Sequence, residues 1–210
     1  YYNFKGLNLS IETLDGLVKH NGPVFDPSKY NIILGKNFFK KKIDLSASPS
    51  MEAQIASISD DIAYNSHDLE DGLKAKLFSL KDISNIPVLK KIIYKHLNKE
   101  NKYSQELILR QIIRDIINEM VKDVIANTKK NLKKCNIRTA IDVYNSSYPL
   151  VSFSNKVKLF DEKVKIFLKK NMYYNKNVIH KTNHGKKIIK NLFFMIKKNP
   201  KKFVYFNNLK

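Results

Sequence analysis

Five side chains that could bind a metal ion or a polar ligand lie close together in the stretch from Met51 to Phe78. They are three carboxylates, an imidazole and a phenol: Asp60, Tyr64, His67, Asp68 and Asp71. Successive residues of an α-helix are about 100° apart, so a helix here would place all five in one narrow sector. Carboxylate oxygens suit a hard divalent cation such as Mg²⁺ or Mn²⁺, and the other groups could hold the polar parts of a substrate. The spacing therefore indicates a candidate site.

The same stretch carries apolar residues at the spacing of an amphipathic helix. They recur at intervals of three, four and seven: Ile55, Ile58, Ile62, Leu69, Leu73 and Leu77. We therefore expect one long helix over 51–78 that packs this stripe on a core and turns the polar sector away from it. An acidic sector opposite an apolar stripe is more often a solvated face than a binding site. The pattern alone favours the solvated face.

Length and composition are those of one globular domain. The chain has 210 residues, of which 43% are hydrophobic, and we expect a single domain over 1–210 with its own core. No stretch approaches the roughly 20 apolar residues of a membrane span, and no signal-peptide pattern opens the sequence. We therefore expect a cytoplasmic protein without a membrane partner. A single cysteine, Cys135, cannot form an internal disulfide, and we expect an inert buried thiol.

The net charge of +20 is distributed unevenly. Residues 1–80 hold 9 lysines and 10 acids, whereas residues 81–210 hold 30 basic and 9 acidic residues. Only three of the 39 basic residues are arginine, the side chain that best recognises phosphates and bases. The lysine excess is also what an AT-rich genome would produce. A lysine-rich surface still attracts nucleic acid without sequence preference, so this partner stays open.

Other parts of the chain predict further helices and no strand. A helix capped by Ser10 is expected to stop at Gly22 and Pro23, and a variable loop to follow over 23–50. Further helices are expected over 88–97, 104–132, 156–172 and 186–198, with a mixed stretch over 134–155 that is extended or irregular from Val143 to Phe153. We therefore predict an all-α fold.

Four stretches of the sequence resemble a known family. GLNLSIETLDGLVKHNGP and MEAQIASISDDIAYNSHDLEDGLKAKLF are similar to the bacterial deoxyguanosine triphosphate triphosphohydrolase-like branch of the HD-domain superfamily. ILRQIIRDIINEMVKDVIANT and FLKKNMYYNKNVIHKTNHGKKIIKNLF are similar to later helices of the same family. The most specific part is the succession EAQ, DDIAYN and HDLEDGL. Most of the chain is thus covered by the resemblance.

The resemblance implies an all-helical fold in which a His, a His-Asp dyad and a later Asp hold a divalent metal beside a dNTP. Asp60 matches the later Asp. Tyr64 and Asp68 match positions that contact the sugar and phosphates of the substrate, and Lys19 matches a basic residue near the polyphosphate. One turn apart on one face, the ring of Tyr64 can pack on the deoxyribose while the carboxylate of Asp68 stays near the metal. We expect Asp60, Tyr64 and Asp68 to face one concave pocket.

The other metal ligands of the family have no counterpart in this sequence. In the family they precede the GLNL segment, where this chain has only Tyr1 to Lys5. His67-Asp68 has the letters of the dyad, but Leu69-Glu70-Asp71 follows it instead of an apolar residue, Gly and His. We therefore expect the C-terminal part of such an enzyme, without its N-terminal helices and without a catalytic residue of its own. A lone Asp cannot hold Mg²⁺ or Mn²⁺ tightly, so the chain by itself should be inactive.

Three functions remain open from the sequence. The first is a dNTP triphosphohydrolase that releases deoxynucleoside and tripolyphosphate, here as a fragment, with a homo-oligomer left open. The second is an inactive remnant of a split or decaying gene. The third is a lysine-rich helical module that binds nucleic acid. For the first two, we expect the absence of the N-terminal helices to leave apolar surface exposed.

Overall fold

A computed structural model describes residues 7–26, 28, 30, 43–97 and 104–203, and among these residues there is no β-strand. The helices with described bounds are α1 (Ile11–Val18), α2 (Met51–Lys74), α3 (Leu80–Ile83), α4 (Pro87–Leu97), α5 (Gln105–Lys134), α6 (Ala140–Tyr144), α7 (Asn155–Leu168), α8 (Lys176–Lys198) and α9 (Pro200–Phe203). A π-helical turn, Lys169–Tyr173, joins α7 to α8. The all-α prediction is confirmed.

The core forms where α2 and α4 each pack against α5 on one side and against α7 on another. Each of these helices presents an apolar stripe at three- and four-residue spacing to the same interior. The almost fully buried members are Leu69 of α2, Leu89 and Ile93 of α4, Ile112 and Ile116 of α5, and Val164 and Leu168 of α7. Burying each such side chain contributes roughly 1.5–3 kcal/mol. This packing holds α2, the helix of the predicted site, in place.

Hydroxyl side chains set where most of these helices begin. Each accepts a hydrogen bond from the backbone N–H three residues on: Ser10 before α1, Ser50 before α2, Ser104 before α5, Thr139 before α6 and Ser154 before α7. Such a cap satisfies a donor that the first turn leaves unpaired. The predicted starts at Ser10, Met51 and Ser104 are confirmed for this reason. Pro87 begins α4 directly, where its missing N–H costs nothing.

Helix α2 ends at Lys74, four residues before the predicted end at Phe78. Lys76 adopts φ 55°, and the N–H of Leu77 then donates to the carbonyl of Gly72 at 2.9 Å. These are features of a Schellman motif, in which Lys76 takes the left-handed position that glycine usually occupies. The ring of Phe78 folds back onto Gly72, where an added Cβ would lie 2.3 Å from it. Gly72 is thus required for a close approach.

Three other expectations need correction. The predicted helix over 156–172 is α-helical only to Leu168 and continues as the π-helical turn. The last long helix begins at Lys176 instead of 186, because the Asn175 side chain caps it. Cys135 is the exposed C-cap of α5, so the expectation of a buried thiol is wrong. The stretch expected to be extended or irregular from Val143 includes the end of α6 and is otherwise irregular. Of the predicted loop over 23–50, residues 27, 29 and 31–42 lie outside the described residues.

Helix α8 contributes no buried residue to the described fold. One of its sides is apolar and exposed: Ile188, Ile189, Leu192, Phe193 and Met195 are each more than half exposed. The expected exposed apolar surface is therefore present. Its attribution to absent N-terminal helices stays a prediction. Among the helices described, none combines the length and hydropathy that a membrane crossing requires.

Candidate functional site

Helix α2 stacks Asp60, Tyr64 and Asp68 at four-residue intervals on one side. Asp60 is exposed, and its carboxylate makes no hydrogen bond or ion pair with another described residue. Tyr64 is 56% exposed, and Asp68 is partly buried. The opposite side is held in the core by Ile62 and Leu69, with Ile58 partly buried. The side chain of Ile55, the first residue of the predicted stripe, is 49% exposed, so the stripe begins one turn later than expected.

Tyr173, from the π-helical turn, joins two of these three residues. Its hydroxyl donates a hydrogen bond to Oδ2 of Asp68. Its ring lies 6.5 Å from the ring of Tyr64, centroid to centroid, at an interplanar angle of 45°. Burial, reinforced by the hydrogen bond to Asp68, raises the pKa of the Tyr173 phenol above its usual range. The phenol of Tyr173 therefore keeps its proton at neutral pH and can donate a hydrogen bond to Asp68.

A second polar cluster lies beside the first and ties α2 to α7. Asn65 donates from Nδ2 to Oδ1 of Asp161 at 2.6 Å. The Nζ of Lys165 lies 2.9 Å from Oδ2 of Asp161 and 3.3 Å from Oδ2 of Asp61. Burial raises the pKa of Asp161, although Lys165 acts against the shift. Burial alone would lower the pKa of Lys165, but its two carboxylate partners together raise it.

A cavity of about 880 Å³ opens next to this second cluster. Asp61, Asp161 and Lys165 contribute to its lining, together with the irregular residues 145–149 and 151–153. None of Asp60, Tyr64 and Asp68 lines it, so the common pocket expected for these three is not this cavity. The two adjacent aspartates of the DDIAYN motif thus face different surroundings: Asp61 faces the cavity and Lys165, and Asp60 faces solvent.

Gln54, the glutamine of the EAQ motif, fixes the loop that borders the cavity. Its Oε1 accepts hydrogen bonds from the N–H groups of Leu150 at 2.8 Å and Val151 at 3.1 Å. Its Nε2 donates to the carbonyl of Pro49 at 2.9 Å. These groups have little exposed surface: Gln54 is 8% exposed and both loop residues are buried. Sequence reasoning used this residue only as part of a motif.

Lys19, the predicted polyphosphate-binding residue, lies at the C-cap of α1. Its Nζ is 2.7 Å from Oδ1 of Asp15, and the side chain is 2% exposed. Helix α1 reaches α2 at Gly16, where an added Cβ would lie 3.2 Å from Cβ of Ala53. The ammonium of Lys19 is thus already neutralised by Asp15 in this structure, and its contact with a polyphosphate stays a prediction.

The remaining members of the predicted sector, His67 and Asp71, are exposed. The Nδ1 of His67 is 3.7 Å from Oε2 of Glu70, a long ion-pair distance. Among the residues that the structure describes, no group of three His, Cys, Asp or Glu side chains could hold a metal ion. The free carboxylate of Asp60 has the right chemistry for Mg²⁺ or Mn²⁺, but such ions need several ligands. The described residues alone therefore do not form a complete metal site.

An all-helical chain with an aspartate–tyrosine–aspartate ladder on one long helix is the arrangement that the HD-type resemblance implied. Comparison with known proteins confirms the resemblance to deoxyguanosine triphosphate triphosphohydrolase-like proteins. A Pelagibacter ubique protein named "Deoxyguanosinetriphosphate triphosphohydrolase-like protein" is 50% identical over 210 residues, which are all of this chain and 57% of that protein. Proteins of the same name from Bartonella quintana and Neorickettsia sennetsu are 37% and 33% identical, over 95% and 92% of this chain.

The chain is therefore homologous to deoxyguanosinetriphosphate triphosphohydrolase-like proteins, and it spans about half the length of the curated relatives it matches. This agrees with the prediction that it corresponds to part of such a protein. No family model matches the chain.

Proposed function

We propose that this chain forms part of a metal-dependent dNTP triphosphohydrolase, an enzyme that converts a dNTP into deoxynucleoside and tripolyphosphate. The observation that carries the proposal is the ladder of Asp60, Tyr64 and Asp68 on one side of α2. The ladder coincides with the DDIAYN and HDLEDGL motifs of the family resemblance. A Pelagibacter ubique protein that is 50% identical to this chain is named "Deoxyguanosinetriphosphate triphosphohydrolase-like protein".

In this proposal each residue of the ladder has a separate task. The carboxylate of Asp60, which is exposed and unpaired among the described residues, is one ligand of a Mg²⁺ or Mn²⁺ ion whose other ligands come from outside this chain. Such an ion would stabilise charge on the phosphate oxygens and activate water. The half-exposed ring of Tyr64 offers an apolar surface to the deoxyribose, and Asp68 accepts a hydrogen bond from a sugar hydroxyl. Lys19 would have to leave Asp15 to reach a polyphosphate.

A chimera tests the proposal without assuming what flanks the chain in nature. Residues 1–210 replace the matching stretch of the Pelagibacter ubique relative, which then supplies the remaining part. With Mn²⁺ and dGTP, the chimera should release tripolyphosphate, measured by ion chromatography. Asp60→Ala should abolish release, because a metal that loses a carboxylate ligand loses affinity and geometry together. Asp71→Ala removes an exposed carboxylate from the same helix and serves as the matched control.

Two results would contradict the proposal. An inactive chimera that folds and binds no dGTP would favour the inactive remnant. An Asp60→Ala chimera that keeps the wild-type rate would remove Asp60 from the metal site, and the mechanism proposed here would fall with it. Retained activity in Asp71→Ala, together with lost activity in Asp60→Ala, supports the ligand role.

The second candidate function, nucleic-acid binding, is favoured by one observation on α8 and α9. Residues 176–203 contain nine lysines and no acidic residue, and no residue of α8 is buried. Binding of this kind should weaken steeply with salt, because each phosphate contact releases counterions. Fluorescence anisotropy of a labelled oligonucleotide at several salt concentrations measures it. A variant in which Lys186, Lys187 and Lys190 are glutamine should bind more weakly, whereas Asp60→Ala should bind normally.

A further inference from the structure

Tyr173 contacts two residues of the proposed substrate site, although the family resemblance assigned it no role. Its hydroxyl is bonded to the carboxylate of Asp68, and its ring packs beside that of Tyr64. We propose that Tyr173 is a positioning residue of the dNTP site, which fixes the carboxylate of Asp68 and supports the ring of Tyr64. This inference rests on the function proposed above and adds to it a residue 105 positions away from Asp68 in sequence.

The hydrogen bond to Tyr173 divides the two oxygens of Asp68 between two tasks. Oδ2 accepts the phenol hydroxyl, and no other described residue donates to Oδ1. A carboxylate held by one oxygen cannot rotate freely, so the other oxygen keeps one direction. Because Asp68 is only partly buried, Oδ1 is available to a ligand donor such as a sugar hydroxyl. A fixed acceptor binds a ligand without the entropy loss of ordering it first.

The π-helical turn is what brings Tyr173 to this position. Helix α7 is anchored in the core by Val164 and Leu168, immediately before the turn. The N–H of Tyr174 then donates to the carbonyl of Lys169, five residues back, at 3.1 Å. One extra residue in a helical turn rotates everything after it by about 100° relative to a continuous α-helix. Without this turn, Tyr173 would point elsewhere. Single π-helical turns occur frequently at functional sites.

The competing explanation is that Tyr173 only fills space between α2 and the turn. Phenylalanine would then serve equally well, because it keeps the ring that contacts Tyr64. The positioning role depends instead on the hydroxyl. Tyr173→Phe therefore separates the two explanations. The neighbouring Tyr174→Phe is its matched control, since Tyr174 is 62% exposed and its ring lies under the ammonium of Lys169.

The test uses the chimera with the Pelagibacter ubique relative and dGTP with Mn²⁺. Tyr173→Phe should raise KM about tenfold, the expected loss when a charged acceptor is no longer held, with kcat within about twofold. Tyr174→Phe should leave both constants unchanged. In an Asp68→Ala background, where the acceptor is absent, Tyr173→Phe should raise KM by less than about twofold, because the two residues act through one bond. Thermal melting of each variant checks that the fold is intact.

A measurement that needs no turnover accompanies the kinetics. In ¹³C NMR spectra of the 210-residue chain, Tyr173→Phe should shift the Cγ resonance of Asp68, and Tyr174→Phe should not. An unmoved Asp68 resonance overturns the proposal, as does a Tyr173→Phe chimera with the KM of the wild type. If the unsubstituted chimera shows no hydrolysis, the proposed function itself has failed, and the NMR shift still reports whether the bond exists. The two failures are thus distinguishable.

Discussion

Replacing Gln54 with alanine tests how α2 holds the loop that borders the cavity. The side chain makes three hydrogen bonds to backbone groups: it accepts from Leu150 and Val151 and donates to Pro49. Leu150 is 1% exposed and Val151 is 5% exposed, so both N–H groups depend on Gln54 for an acceptor in the folded protein. The variant therefore leaves three backbone groups without the side chain that pairs with them.

The magnitude follows from the number of groups left unpaired. Each buried polar group without a partner costs on the order of 1 kcal/mol or more, so Gln54→Ala should lower the free energy of unfolding by about 3 kcal/mol. For a chain of this length, 1 kcal/mol corresponds to roughly 2–4 °C, and we expect the Tm to fall by about 9 °C. Removal of the buried side chain itself adds to this loss.

Circular dichroism of the purified chain, by thermal and urea unfolding, measures the effect. Gln105→Ala is the matched control, because it removes the same atoms from an exposed position at the start of α5. That control should change stability by less than about 0.5 kcal/mol. If the two variants unfold within about 1 °C of each other, the three hydrogen bonds of Gln54 do not stabilise the loop, and the reasoning is refuted.

Two further predictions concern pH. Burial raises the pKa of Asp161 above its ordinary 3.8, so the folded state binds this proton more tightly than the unfolded state, and stability falls as pH rises past that value. As pH rises from about 3 to about 7, the free energy of unfolding of Asp161→Asn, measured in urea, should therefore increase relative to that of the wild type. The same pH dependence in both proteins would contradict this. Hydrogen bonds from Lys95 and, to a smaller extent, from His96 lower the pKa of Asp115. The stability that these bonds contribute is present above pH 3.8 and is lost as pH falls through the folded-state pKa. Asp115→Ala should cost about 2 kcal/mol at neutral pH and almost nothing at about pH 2, whereas the exposed Glu119→Ala should change little at either pH.

Most of the helix starts, though not that of α8, could be predicted because their physical causes lie within a few residues. Ser10 and Ser104 cap the turns that follow them, and the apolar stripe of α5 continues without interruption. Helix ends were less predictable. Lys76 adopts a left-handed conformation with no glycine or proline to indicate it, and only the packing of Phe78 on Gly72 explains the stop. Local sequence does not report a contact of that kind.

The candidate site was predictable only in the part that lies on one helix. Spacing placed Asp60, Tyr64 and Asp68 on one face, and the family resemblance distinguished that face from a solvated one. The role of Tyr173 could not be predicted from the sequence, for two reasons. It comes from a distant part of the chain, and its direction depends on a π-helical turn that has no known residue signature in Lys169–Tyr173.

The adjacent aspartates Asp60 and Asp61 show why the packing of α7 matters for the proposed site. They differ by about 100° around α2, so the rotation of the helix decides which of them faces the cavity. Core packing of Ile62 and Leu69 sets that rotation, and the Asn65–Asp161 hydrogen bond and the Asp61–Lys165 ion pair add to it from α7. The turn that continues α7 then fixes Asp68 through Tyr173. Three contacts from α7 and the turn that continues it therefore support the orientation of the ladder. It follows that substitutions in α7 or its π-helical turn should alter the proposed substrate site without touching the substrate.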